Sequence, residues 1–164
     1  MKLSHALSLV ILTFFLAACR TGPAVSDAAI RIGELGPDGP TLVIDQNSAK
    51  ILFQDQFGAV NVADVELTSE VADDKRTYFL FARGNVLSGE RSYRRAIMRF
   101  PAFVTRNGIY LRERDELFGE SCTPIGESAC AFEPGGGCEC IEPTGAVATD
   151  DSCNHTVVRG RMSR

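Results

Sequence analysis

Five of the six cysteines in this 164-residue chain gather near its C-terminal end: Cys122, Cys130, Cys138, Cys140 and Cys153, with His155 just beyond. Sulfur at this density cross-links a chain, holds a soft metal ion, or exchanges electrons as thiols. Gly126, Gly135-Gly136-Gly137, Gly145, Pro124, Pro134 and Pro143 interrupt the same stretch, and little apolar material accompanies them. Residues 119–154 therefore read as an irregular cysteine-rich loop that needs covalent support. In an oxidising compartment disulfides supply it, and closing a loop of ~15 residues contributes about 3 kcal/mol in the chain-entropy view. Cys138 and Cys140 are poor partners for each other, because two positions apart in an extended chain their Cα atoms lie near or beyond the ~6.8 Å limit of a bridge. Each is expected to reach a different cysteine. Five cysteines make two bridges and leave one thiol.

A metal site is the rival reading. Cys138-Glu139-Cys140 with Cys153-Asn154-His155 places four soft ligands on two short extended segments, a set suited to zinc or Cu(I). The single-residue gap between Cys138 and Cys140 departs from the two- to four-residue knuckles of structural zinc sites. Thiol redox is the other use of such a cluster, and Cys153 with His155, on one face of a strand beside Asp150, Asp151 and Ser152, supplies the letters of a nucleophile site. Against catalysis stand the absence of a glycine-rich phosphate loop after a strand, of a nucleophile elbow and of a zincin motif. Asp73-Asp74 and Asp115-Glu116 read as turn and surface residues. No catalytic residue and no cofactor is expected, and metal at Cys138, Cys140, Cys153 and His155 stays the alternative.

The sixth cysteine belongs to a different kind of segment. Lys2 precedes an apolar run from Ala6 to Leu16 that ends in Leu16-Ala17-Ala18-Cys19. A charged start, an apolar core of about 7–15 residues and small residues at the cut describe a secretory signal, too short for the ~20 residues that span a bilayer. Leu16-Ala17-Ala18-Cys19 also resembles the lipobox of bacterial lipoproteins. The resemblance implies cleavage before Cys19, a diacylglycerol on its sulfur and an acyl chain such as palmitate on its amine. Each buried CH₂ contributes about 0.8 kcal/mol, so one chain binds a membrane reversibly and two or more anchor stably. By similarity to sorting in Gram-negative lipoproteins, Arg20 in place of aspartate implies the outer membrane.

The elements that must position the cysteines lie between. Removing 1–18 leaves 146 residues, enough for one domain with its own core. Residues 19–29 form the lipid anchor and a Thr/Gly/Pro/Ser/Ala tether, 30–118 the β domain core, 119–154 the cysteine-rich loop, and 155–164 a final short strand and tail. Thr41 to Asp45 and Lys50 to Gln54 around Gln46-Asn47-Ser48-Ala49 read as a hairpin. Val60 to Val71 alternates, with a phase slip between Val62 and Val65 that a bulge explains. Thr77 to Ala82, apolar on both faces, is the expected central strand. Ser92 to Val104 and Ile109 to Phe118 flank Asn107-Gly108, a strong hairpin signal. Pro101 within that pair marks an edge or bulge. A last strand is expected at His155 to Arg161, and Ala28 to Leu35 offers a helical turn. The architecture is all-β: an antiparallel sandwich or small barrel.

Charge is segregated along this chain. Residues 19–75 carry net −6, 76–114 net +7 and 115–164 net −6. Every basic residue of the middle block is arginine, whose planar fork suits phosphate and carboxylate. Arg94, Arg95, Arg99, Arg112 and Arg114 are thus candidates for an anion-binding face, and cross-strand ion pairing is the alternative use; an Asn107-Gly108 turn would set Arg99 opposite Glu116. The expected partners are a membrane, through the acyl chains, and an anionic envelope component or envelope protein. Nucleic acid is excluded by the exported compartment and the negative total.

Overall fold

The computed structural model describes residues 28–87, 92–113, 116–126, 128–142, 144–147 and 153–160. The expected leader, Cys19, most of the expected tether, Arg91, Arg114 and Asp150-Asp151-Ser152 lie outside the described residues. The elements in chain order are β1 (Ile30–Gly36), β2 (Gly39–Leu42), α1 (Gln46–Phe57), β3 (Ala59–Ala72), β4 (Lys75–Leu87), β5 (Tyr93–Thr105), β6 (Gly108–Leu111), β7 (Phe118–Pro124), β8 (Ala129–Phe132), β9 (Cys138–Ile141) and β10 (Cys153–Arg159). Eight strands make one antiparallel, nearly closed, barrel-like sheet, and β8 with β9 forms a separate hairpin.

The hub is β5. β4 pairs with it from Tyr93 to Ala102, β7 through Ile97–Arg99 and β6 through Phe103–Thr105. β3 takes the other edge of β4, β10 pairs with β7, and β6 leads on to β1 and β2. Pro101 falls between the β7-paired and β6-paired stretches, where its missing N–H interrupts no bond to either strand. It lines a small cavity there with Ala102, Phe103, Arg112, Leu117 and Phe118. Thr77 to Ala82 is central as expected, flanked by β3 and β5, with Phe79 and Leu80 buried on opposite faces. The bulge expected between Val62 and Val65 appears as a register shift between Val62 and Asp64.

Alternation sorts the long strands into two faces. Val65, Leu80, Ala82, Ala96, Met98 and Phe100 point into the core, each large side chain contributing about 1.5–3 kcal/mol on burial. One helix closes this core, where a hairpin was expected. In α1, Ala49, Leu52, Phe53 and Gln56 are buried, the i, i+3, i+4, i+7 stripe of an amphipathic helix. The fourth position is a glutamine, which hides the stripe from a reading of apolar residues alone; its Nε2 donates to the Gly160 carbonyl. Asp45 caps the start, its Oδ1 accepting from the amides of Asn47 at 2.9 Å and Ser48 at 3.1 Å. The Ser48 hydroxyl and amide, aided by the Asn47 amide, hold the Asp45 carboxyl below the usual aspartate range. Gly58 ends the helix at φ 62°, where a side chain would strain the left-handed backbone. Phe53 and Phe57 meet Phe100 at 4.7 and 5.3 Å between ring centroids.

Three local expectations change. Residues 30–36 are strand β1, paired on both edges by β2 and β6, so no helical turn forms there. The β5–β6 hairpin turns at Arg106-Asn107, with Thr105 opposite Gly108, one residue from the expected register. Among the described residues only Asp73 (φ 49°) and Asp74 (φ 60°) are non-glycines with positive φ, so the two successive left-handed positions of a type I′ turn fall at the β3–β4 turn. At Arg106-Asn107 the Thr105 Oγ1 instead accepts from the Asn107 amide at 3.1 Å. Since a left-handed non-glycine costs about 1–2 kcal/mol, Asp74→Gly is expected to raise stability by about 1 kcal/mol in urea unfolding. An unchanged or lower midpoint contradicts the turn assignment.

Candidate functional site

The chemistry-bearing residues of the C-terminal third meet on the outward face of β4, β5, β7 and β10. Registers set Phe81, Arg99, Glu120 and Val157 side by side across four strands, with Ile97, Cys122 and His155 as the next row and Cys153 beyond. The β8–β9 hairpin lies over this face. Cys122 on β7 is bonded to Cys138 on β9, with 5.8 Å between Cα atoms, and Phe132 of β8 packs edge-on against Phe81 at 6.3 Å. Cys122 is fully buried.

Arg99 sits beneath the hairpin and is 2% exposed. Its guanidinium lies between two rings, 4.4 Å from the centroid of Phe79 and 4.1 Å from that of Phe132. Nε and Nη2 both donate to Glu120 Oε2, at 3.1 and 2.9 Å, and Nη1 donates to Glu70 Oε1 at 2.7 Å. Rings above and below with carboxylates in the plane satisfy a guanidinium on every side, the condition for burying a charge. His155 Nε2 stands 3.7 Å from the same Glu120 oxygen.

The other cysteines converge beside this pillar. The Sγ atoms of Cys130, Cys140 and Cys153 all lie within 4.8 Å of one another. Cys153 is within bonding reach of both others, its Cα 6.4 Å from that of Cys130 and 5.7 Å from that of Cys140. Cys138 and Cys140 thus reach different partners. Of the four ligands proposed for a metal, the structure brings Cys140 and Cys153 together; Cys130 joins them, Cys138 is bonded to Cys122, and His155 stands beside Glu120.

The arginine candidates divide. Arg99 is consumed by its carboxylates, and its cross-strand neighbour is Glu120, not Glu116. The chain leaves the sheet after Leu111 and resumes pairing at Phe118, so counting along a continuous hairpin arm misplaces the acid. Arg112 is exposed and 3.6 Å from Glu116. Arg94 is half-buried and Arg95 exposed, opposite Val86 and Asn85 of β4. Outside the candidate set, Arg83 bridges Asp64 at 2.8 Å and Glu66 at 3.2 Å. Glu70, Glu120, Phe79 and Phe132 were not legible as site residues, since only the register and the folded-over hairpin assemble them around Arg99. No known protein family, curated protein or solved structure matches the chain.

Proposed function

We propose that this chain is an exported lipoprotein of the cell envelope, anchored through acylated Cys19, which works by binding or structural support and not by breaking bonds. The observation that carries this reading is the leader ending in Leu16-Ala17-Ala18-Cys19, joined to a domain whose cysteines are cross-linked. Disulfides belong to the oxidising compartments that such a leader addresses. The buried polar groups of the outer face favour a structural role too, because Arg99, Glu120 and Cys122 are engaged with one another or with the hairpin. The tether of about ten residues reaches under ~20 Å on average, which holds the domain close to the bilayer, with outer-membrane placement following from Arg20. Of the described candidates, Arg94, Arg95 and the exposed Arg112, whose pair with Glu116 is also exposed, are the ones outside the hairpin's cover that would meet an anionic envelope component. Labelling cells with radioactive palmitate tests the anchor: the protein is expected to carry label, and Cys19→Ser to lose it. Equal labelling of both, or none, removes the proposal.

The meeting of Cys130, Cys140 and Cys153 favours a second reading, thiol or metal chemistry at that cluster.

A further inference from the structure

We infer that Cys130, Cys140 and Cys153 form one thiol–disulfide exchange site, in which a single bridge moves between Cys130–Cys153 and Cys140–Cys153 while the third sulfur stays beside it as a thiol. The inference rests on the second reading above and is independent of the lipid anchor. A sulfur atom makes one disulfide, yet Cys153 faces two partners at Cα separations of 6.4 and 5.7 Å, both inside the range of about 4.4–6.8 Å that bridges adopt. Cys130 and Cys140 are direct cross-strand neighbours on β8 and β9, so the same backbone presents either to Cys153. The Cys122–Cys138 bond pins β9 two residues from Cys140 and keeps the three sulfurs together whichever bridge is made.

The exchange is balanced without any outside reagent. In the Cys130–Cys153 form, the Cys140 thiolate attacks Cys153 Sγ; the new sulfur–sulfur bond forms as the old one breaks, and the electron pair leaves on Cys130. Cys130 then takes up a proton equivalent to the one Cys140 gave up, so nothing is oxidised or reduced overall. The two forms differ in what they present. Cys140 is buried at 5% exposure, whereas Cys130 is half-buried at the edge of the hairpin. Migration of the bridge to Cys140 therefore moves the thiol from a shielded position to an accessible one, where an envelope disulfide or an alkylating reagent meets it.

The test uses the full exported product, purified without reductant and held at mildly alkaline pH. It is trapped with N-ethylmaleimide for short and long times and mapped by peptide mass spectrometry without reduction. The Cys122–Cys138 bridge is expected in every molecule, with one further bridge and one labelled thiol. Short trapping, with denaturant added together with the reagent so that both thiols are reached at once, should divide the label between Cys130 and Cys140, and long trapping of the folded protein should collect it on Cys130, because irreversible alkylation of the accessible thiol drains the exchange toward it. Cys130→Ser is expected to give only the Cys140–Cys153 bridge, and Cys140→Ser only Cys130–Cys153. Label confined to one cysteine at all times overturns the inference, as do a fixed Cys130–Cys140 bridge or three thiols holding a metal ion. Palmitate labelling reports separately on the anchor, so neither failure is mistaken for the other.

Discussion

Replacing Arg99 with leucine is expected to lower the unfolding free energy by about 3–5 kcal/mol, the usual cost of removing one partner from a buried ion pair. Leucine restores some of the packed volume between Phe79 and Phe132. It leaves the Glu120 carboxylate, whose side chain is 12% exposed, without the two N–H groups that satisfy it. Glu70 is 34% exposed and can turn to water, so most of the penalty belongs to Glu120. Two companion variants separate charge from shape. Arg99→Lys keeps the charge but loses the planar stacking and the three fixed donors, so it is expected to recover only part of the loss. Arg99→Leu combined with Glu120→Met removes both ends of the pair and should be more stable than Arg99→Leu alone. Urea unfolding of these variants, with Glu120→Met alone to close the cycle, measures the coupling; an Arg99→Leu loss below about 1 kcal/mol, the range of exposed ion pairs, contradicts the burial described.

The second large effect belongs to the Cys122–Cys138 bridge. Changing both residues to alanine is expected to cost about 2–5 kcal/mol, as loss of a native bridge from a small disulfide-bonded domain does. The location of the damage matters more than its size. Cys138 fastens β9 to the sheet, and Phe132 covers Arg99 only while the hairpin is held down. Limited proteolysis of the double variant should therefore cut between Ala129 and Ile141 well before the sheet unfolds, and the one thiol of the Cys130/Cys140/Cys153 cluster should react faster with alkylating reagents. Unchanged cleavage there would mean that packing and the bridge to Cys153 hold the hairpin without Cys122–Cys138.

Legibility of this chain followed the range of the interactions. Thr77 to Ala82 announced a central strand because burial on two faces demands apolar residues at successive positions, and the slip at Val62 and Val65 announced its bulge by breaking a period of two. The helix escaped because Ile51-Leu52-Phe53 looks like a strand and Gln56 interrupts the apolar stripe, although Asp45 and Gly58 stood in the sequence as cap residues. The ends of an element are local; its face is not. At the site, the spacing of Cys138 and Cys140 sufficed to expect different partners for them, because an extended chain sets their Cα atoms near or beyond the reach of a bridge. Which partners they have depends on a hairpin folding over the sheet, and nothing near Cys130 or Cys153 encodes that. Arg99 shows the same limit: its need for a carboxylate could be read, but the identity of Glu120 depends on where the chain re-enters the sheet after Leu111.

The envelope reading depends on Cys19 most of all. The intact mass of the protein extracted from membranes by detergent is predicted to equal residues 19–164 with two disulfides, a diacylglyceryl group on Cys19 and an acyl chain on its amine. A mass that retains residues 1–18, or a bare amine on any other first residue, contradicts the account.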